Sequence, residues 1–492
     1  MKKPIVGILV VIILFALLGF ASPCDGKRFA ISKNGVDYML FEKQIYNDEY
    51  VAYNRLTPEL IKKKRVGSQD EYYLKYYYVK GVNTGCGSSG SKAGDITVVD
   101  EIRGIPVASI DCELGKRGKK IILPDSIRFI KKRIFGNVNV PNNLINTTAY
   151  CVSNVDNIEM ERGIYYWGDW QVGFSESMAG NNITVRDGTI GILDLAVKDS
   201  KNVKSITIPD SVKYIGDKCF DVSKGMTQSL NFKNVEYVGD EAFSGARFCE
   251  LRFSDKLKYV GRSAFYGSSS QVIDVSEAEG CYFGNTAFAS TSISSFVLPN
   301  KIKVIPNEMF KESKVSSVKI PDSVISIGNY TFAYCKNLRS IELPKNLEKI
   351  WAHGFSGAGV EIITVPGTVE NIMESSFYCC TSLTRLVISE GTKRIEKDAF
   401  SSCSSLTSVS LPKSLNAIES EAFKWGGAAV ITVPENVRYI GSGAFSEKST
   451  VYFADAKDWR AGNKSISESE LRSNSNVIYN SFRNYDWVKG SN

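Results

Sequence analysis

The sequence predicts a β-rich solenoid: coils of 22 or 23 residues stacked so that equivalent short strands pair into parallel sheets. Two observations predict it. A phrase of the form apolar-x-apolar-Pro-x-x-apolar-x-x-Ile-Gly-x-x-Ala-Phe recurs along the chain, and its phenylalanine keeps a clock. That residue falls at Phe220, Phe243, Phe265, Phe288, Phe310, Phe332, Phe355, Phe377, Phe400, Phe423 and Phe445, with every step 22 or 23 residues. A fixed period of this size marks a repeat architecture. The length of 492 residues, which alone suggests about three domains, is better counted in coils.

Each element of the coil follows from its letters. In Ile206-Thr207-Ile208-Pro209 the alternating apolar residues make a short strand with one buried face. Proline ends the strand because it lacks the ladder donor. Val212 and Ile215-Gly216 turn the chain into a return leg, and Phe220 drops a ring into the interior. The pattern returns as Val318-Lys319-Ile320-Pro321 to Phe332 and as Ile431-Thr432-Val433-Pro434 to Phe445. One such unit cannot bury its own apolar side, so neighbours must stack and share a core. A degenerate copy ends at Val197, and an isolated one runs from Ile121 to Phe135. Ser276 to Tyr282 replaces the Pro-x-x-Val leg and Leu230 to Val235 lacks the proline, so the sheet is expected to be irregular there.

These residues resemble the BspA-type leucine-rich repeat family, most fully at Leu338 to Phe355, Leu383 to Cys403 and Leu406 to Phe423. Ile102 to Ile110 resembles the family's opening segment, Val451-Tyr452-Phe453 with Asp458-Trp459 its closing strand, and Val477 to Asn480 its terminal one. The resemblance implies a right-handed leucine-rich-repeat array. It also implies a surface-exposed or secreted protein that binds host matrix, cells or other macromolecules without catalysis.

The resulting organisation is a signal at 1–24, an N-terminal cap at 25–95 and first repeats at 96–135. An inserted aromatic hairpin region at 136–187 follows, then the main solenoid at 188–453 and a C-terminal cap at 454–492. Lys2 and Lys3 precede the apolar run from Ile5 to Phe20, the layout of an export signal. Three outcomes stay open: cleavage after Ala21, lipidation of Cys24 in a lipobox-like Ala21-Ser22-Pro23-Cys24, or an uncleaved membrane anchor. Each places the mature chain outside the cytoplasm, secreted or tethered to the surface through Cys24 or the apolar segment.

Composition excludes several chemistries. The single histidine, His353, rules out sites that need two, and any Ser-His-Asp or Cys-His catalyst would have to use it. It stands two residues before Phe355, where other coils carry Glu421 or Gly443, so it is expected to be a tolerated loop residue. No phosphate loop, dinucleotide fingerprint or EF-hand spacing is present. No catalytic residue, cofactor or metal ligand is assigned, and Asp210 and Asp322 are expected to bond the turn after a strand-ending proline. A net charge of +7 on a chain with 60 basic and 53 acidic residues is too mild and too dispersed for nucleic acid.

Of eleven cysteines, Cys335, Cys380 and Cys403 fall three residues after a repeat phenylalanine and are expected to be buried thiols. Adjacent Cys379 and Cys380 cannot both point inward. Cys86, Cys112 and Cys151 lie outside the register, and a disulfide among them stays open.

Two surfaces are candidates for binding an extracellular protein or glycan. The first is the outward residue of each strand, a row that includes Arg252, Lys319, Glu342 and Thr364 and has no single-sign stripe. The second is aromatic. Tyr76 lies in the Tyr72 to Tyr78 cluster near the basic run Lys62 to Arg65, where a cap and a glycan or anion patch are both open. Tyr166, Trp167 and Trp170 lie in a hairpin turning near Gly168-Asp169, either packed on the solenoid flank or exposed as a platform.

Overall fold

The computed structural model describes residues 205–220, 228–472 and 483–490 without a break, and between 30 and 196 the strands and turns named below. The chain divides into two compact units. One holds Met1–Met226, Phe232–Phe243 and Lys256–Tyr259; the other holds Thr227–Asn231, Ser244–Asp255 and Val260–Asn492.

In the first unit, Val36–Ile45 and Ile61–Val66 each pair antiparallel with Gln69–Val82. That strand in turn pairs parallel with Ile105–Ile110, which pairs parallel with Phe129–Ile130. A meander therefore hands over to the parallel ladder. The aromatic hairpin does the same for the following coils. Ile164–Trp167 and Trp170–Phe174 are antiparallel, with Trp167 opposite Trp170 and Gly168 at φ +55° in the turn. Trp170–Phe174 then pairs parallel with Gly191–Ile192, on which Tyr214–Ile215 and Tyr237–Val238 continue.

In the second unit the strand before the proline forms a five-stranded parallel sheet. Its members are Ile362–Val365, Arg385–Ile388, Ser408–Ser410, Val430–Val433 and Thr450–Phe453. The Ile-Gly return leg forms another, through Asn371–Ile372, Arg394–Ile395, Ala417–Ile418 and Tyr439–Ile440. This sheet is closed by antiparallel Trp487–Lys489 and Trp459–Ala461, with Trp459 and Trp487 buried against Phe453. The short helix Glu468–Arg472 opens on a capping box: Glu470 N–H donates to Ser467 Oγ, and Ser467 N–H donates to Glu470 Oε2. The terminal strand expected at 477–480 lies outside the described residues; Trp487–Lys489 lies between Tyr439–Ile440 and Trp459–Ala461, and Lys464–Ser465 is the end strand of this sheet.

The irregularities fall partly where expected. No ladder joins Val272–Asp274 to Ser295–Val297 among the described residues, so the front sheet breaks beside the altered Ser276 to Tyr282 leg. Leu230–Phe232 and Tyr237–Val238 keep their strands without the proline. Unforeseen is the coil from Leu338 to Leu343, which matches the pattern fully yet forms no front strand.

The core is one phenylalanine per coil. In the second unit Phe265, Phe288, Phe310, Phe332, Phe355, Phe377, Phe400, Phe423 and Phe445 stack in sequence with centroids 5.0–6.1 Å apart. In the first unit Phe220 stacks on Phe243 at 4.9 Å. The residues two before each phenylalanine, from Lys218 to Gly443, all take positive φ. So do the residues two after it, from Gly245 to Trp425. Alternating the sign of φ aims successive N–H groups the same way. His353, Phe355 and Gly357 donate to the carbonyls of Glu374, Ser376 and Tyr378, one coil on. The same triplet of bonds recurs from coil to coil, a third hydrogen-bonded ladder beside the two sheets. The glycine of Ile-Gly serves the same stacking: a Cβ on Gly328 would lie 2.7 Å from the backbone nitrogen of Asn307.

Deleting one ring should be costly. Phe355, fully buried between Phe332 and Phe377, is expected to lose about 3–5 kcal/mol on substitution by alanine. His353→Ser, at a left-handed slot where Ser375 already stands, should change stability by less than about 0.5 kcal/mol. Urea unfolding of the two variants beside the parent chain measures both.

Candidate functional site

The outward strand row is where the sequence placed it. Arg252, Lys319, Glu342 and Thr364 are all exposed, each between buried or half-buried apolar neighbours. Only Glu342 sits outside a strand, in the coil that lacks one. Arg252 is engaged: its Nε reaches Glu250 at 3.0 Å and its Nη1 reaches Asp274, one coil on, at 2.9 Å. Exposed pairs of this kind contribute little stability but order the charges on the face. Toward the C-terminal end the row loses its charge. Ile362, Val430 and Tyr452 are half exposed among Thr364, Ser408, Ser410 and Thr432, with Arg385 the charged residue of that face.

The aromatic hairpin is not a surface. Tyr166, Trp167 and Trp170 are fully buried. Trp167 donates from Nε1 to the Val138 carbonyl at 3.1 Å, and Tyr166 Oη accepts the Arg186 N–H at 3.0 Å. Arg186 lies over the Tyr166 ring at 4.2 Å, and Trp170 stacks on Tyr214 at 5.6 Å while covering Gly191. These rings begin the ladder that continues through Gly191–Ile192 and pack against Val138 of the preceding coils, so the exposed-platform reading is corrected to a packed one. Tyr76 lies in the strand Gln69–Val82, but its side chain is outside the described residues, as are Cys24, Cys86, Cys112 and Cys151.

The cysteine slot behaves as its position implies. Cys335, Cys380 and Cys403 are buried thiols without disulfides, and each donates to the carbonyl of the phenylalanine one coil back. The acceptors are Phe310 at 3.0 Å, Phe355 at 3.1 Å and Phe377 at 3.3 Å. Burial pushes the Cys335 thiol up to about 12, so it stays protonated and unreactive. Cys379, half-buried, points away from the core its neighbour occupies. His353 stacks face to face on Tyr330 at 4.5 Å, with Lys311 over the other ring at 5.5 Å from its centroid. Asp210 and Asp322 face lysines one coil on, Lys233 at 2.6 Å and Lys345 at 3.5 Å, which corrects the expected turn bonds. Among the described residues no group of three or more His, Cys, Asp or Glu could hold a metal.

Sequence reasoning missed one electrostatic feature. Asp194, Asp217 and Asp240 share the position three before the phenylalanine slot. Asp217 N–H donates to Asp194 Oδ1, and Asp240 N–H to Asp217 Oδ1, both at 2.7 Å. Burial, then neighbouring carboxylates, outweigh these bonds: Asp194 is raised to about 8 and Asp217 well above the carboxylate range. In the second unit Asn307 makes the same bond to Asn329 N–H at 2.7 Å without a charge. A carboxyl whose folded pKa is raised keeps its proton while the unfolded chain loses its own, so stability falls as pH rises from about 4 to 8. Asp194→Asn is therefore expected to raise the melting temperature at pH 8, change it little at pH 4, and flatten the slope between. Parallel melting curves for parent and variant across that range would contradict it.

The comparisons agree with this geometry. The profile of the BspA type leucine rich repeat region, in six copies, matches residues 115–227, 143–269, 222–339 and 325–452. No protein of curated function matches the chain. Solved structures similar to it include a leucine-rich repeat protein from Bacteroides ovatus, 17% identical, covering 80% of this chain and 98% of that one at a TM-score of 0.35. A leucine rich cell surface protein from Faecalibacterium prausnitzii is 17% identical, covering 78% and 95% at 0.29. A leucine-rich repeat protein from Eubacterium ventriosum is also 17% identical, covering 62% and 98% at 0.27. With the family profile matched across residues 115–452 and a phenylalanine stack running from Phe265 to Phe445, this chain belongs to the BspA-type leucine-rich repeat family.

Proposed function

We propose that this chain is a non-catalytic extracellular protein that binds a partner protein across the outward face of the sheet from Ile362–Val365 to Thr450–Phe453. The observation that carries the reading is the composition of that face. Half-exposed Ile362, Val430 and Tyr452 lie among hydroxyl side chains on a rigid ladder, with Arg385 the charged residue. Low charge around exposed apolar and aromatic groups suits the buried centre of a protein interface. A glycan reading built on Tyr166, Trp167 and Trp170 loses its residues to the core.

Binding of the full chain to immobilised extracellular-matrix proteins and to co-resident cells tests the proposal. Val430→Glu and Tyr452→Glu should each weaken capture by about tenfold or more, since a charge would be buried at the contact. Absence of capture by every matrix protein and cell tested would overturn it.

Export supports the same reading. The apolar run from Ile5 to Phe20 follows two lysines, and the family supplies surface or secreted proteins. The chain is secreted or held at the surface through Cys24 or that segment. Mass spectrometry of the mature N-terminus should find a chain beginning after Ala21, a lipid-modified Cys24, or an uncleaved N-terminus recovered from the membrane. An intact Met1 end recovered from cytoplasm would contradict export.

A further inference from the structure

A second exposed feature lies at the phenylalanine corner of the coils, away from the strand row. Tyr334, Gly357, Cys379, Ser402 and Trp425 occupy the left-handed position two residues after successive phenylalanines, with φ between 53° and 67°. The N–H groups of the first four donate one coil on, to Ser356, Tyr378, Ser401 and Lys424 at 2.7–2.8 Å, which sets the five in a column. At the strand spacing of about 4.8 Å, Tyr334 and Trp425 stand about 19 Å apart.

The two ends of the column are aromatic platforms. Trp425 is 61% exposed and Tyr334 45%. The Tyr334 ring rests on Gly357, where a Cβ would lie 2.7 Å from ring atom Cδ1, so the glycine is what lets the ring lie flat. Lys424 holds the Trp425 ring from one side, its Nζ 4.4 Å from the centroid, and is itself paired with Glu421 at 3.0 Å. Between the platforms the floor is low, made of Gly357, Cys379 and Ser402, and the hydroxyls of Thr381 and Ser404 are exposed beside it. A left-handed backbone disfavours bulky residues, and three coils put glycine at this position, so aromatics here oppose the local preference.

We infer that this trough binds an extended, neutral oligosaccharide, with a sugar ring stacked on each of Tyr334 and Trp425. Three observations select that occupant. A globular protein is recognised through a central aromatic cluster ringed by drier contacts, whereas these rings stand apart at the ends of a narrow track. A peptide strand needs free main-chain groups at an edge, and here the corner N–H groups from Tyr334 to Ser402 are already spent on the next coil. Charge on the track is confined to its two ends, Lys424 over Trp425 and already paired with Glu421, and exposed Lys336 beside Tyr334, so a polymer charged at every unit would find no counter-charge along the floor between them. Sugars offer apolar C–H faces to flat rings and hydroxyls to serine and threonine, which is what the column presents.

Affinity electrophoresis of the full chain through gels containing soluble β-glucan, xylan or mannan tests the assignment. At least one polysaccharide should retard the parent. Tyr334→Ser and Trp425→Ser, which place there the residue Ser402 already holds, should each weaken retardation by about tenfold. Tyr452→Ala, on the strand row, should bind as the parent does, which separates this site from the proposed protein face. Trp425→Phe keeps a ring and should keep binding while losing a saccharide-induced change in tryptophan fluorescence. Unchanged melting curves identify the folded variants. Silence with all three polysaccharides, or equal retardation of parent and both serine variants, would overturn the inference.

Discussion

Each coil is held by a buried phenylalanine whose two flanks are turned left-handed. The ring alone would give an apolar column, but the flanks decide how the column stacks. Because φ changes sign on either side of Phe355, the amides of His353, Phe355 and Gly357 all point toward the next coil and find its carbonyls. Left-handed backbone is disfavoured for residues with a Cβ. It persists here at lysine, glutamate, tyrosine and tryptophan because three coil-to-coil bonds and a buried ring oppose that cost in every repeat. The period follows: a coil must return its phenylalanine to the same place, and 22 or 23 residues do so.

That constraint explains what could be seen from the letters and what could not. The phenylalanine clock is a packing necessity, so it repeats as a residue type, whereas the glycine after the return-leg isoleucine gives way to Trp351, Met373, Glu396 and Glu419 in successive coils. Cys335, Cys380 and Cys403 were legible for the same reason, since only a small side chain fits beside the ring. The left-handed slots leave no such trace. They hold Lys218, Ser263, Tyr330, His353 and Glu421 indifferently, because the backbone makes the bonds and the side chain is free. The tryptophan hairpin was ambiguous because aromatic density looks alike on a platform and under a cap. Only pairing with Gly191–Ile192 shows that it closes a stack. Tyr334 and Trp425 carry no repeating residue type of their own, although glycine at Gly245, Gly267 and Gly357 is a signal that bulk there is unusual.

The ends and exceptions obey the same rule. A repeat shares its apolar side with a neighbour, so the last member needs a substitute. In the first unit Trp167 and Trp170 fill the interior where the hairpin interrupts the coils, and in the second Trp459 and Trp487 close the sheet against Phe453. The buried aspartates show the tolerance of the scaffold from the other side. Where a side-chain carbonyl oxygen stands three before the phenylalanine it can accept the next coil's amide, as asparagine does at Asn307. Aspartate at Asp194 and Asp217 provides it too, with a proton retained in place of a charge.

Function is then free to vary where stability does not. The strand row and the corner column both project from backbone that is already fully bonded to its neighbours, so their side chains can change without touching the fold. His353 illustrates the point: the residue that composition made conspicuous stacks on Tyr330 in a slot that other coils fill with serine, aspartate or glycine. The identity of such residues therefore carries information about what the surface meets rather than about how the coil holds together. By that criterion the informative positions are those where the repeat accepts a local cost for an exposed ring, as at Tyr334 and Trp425.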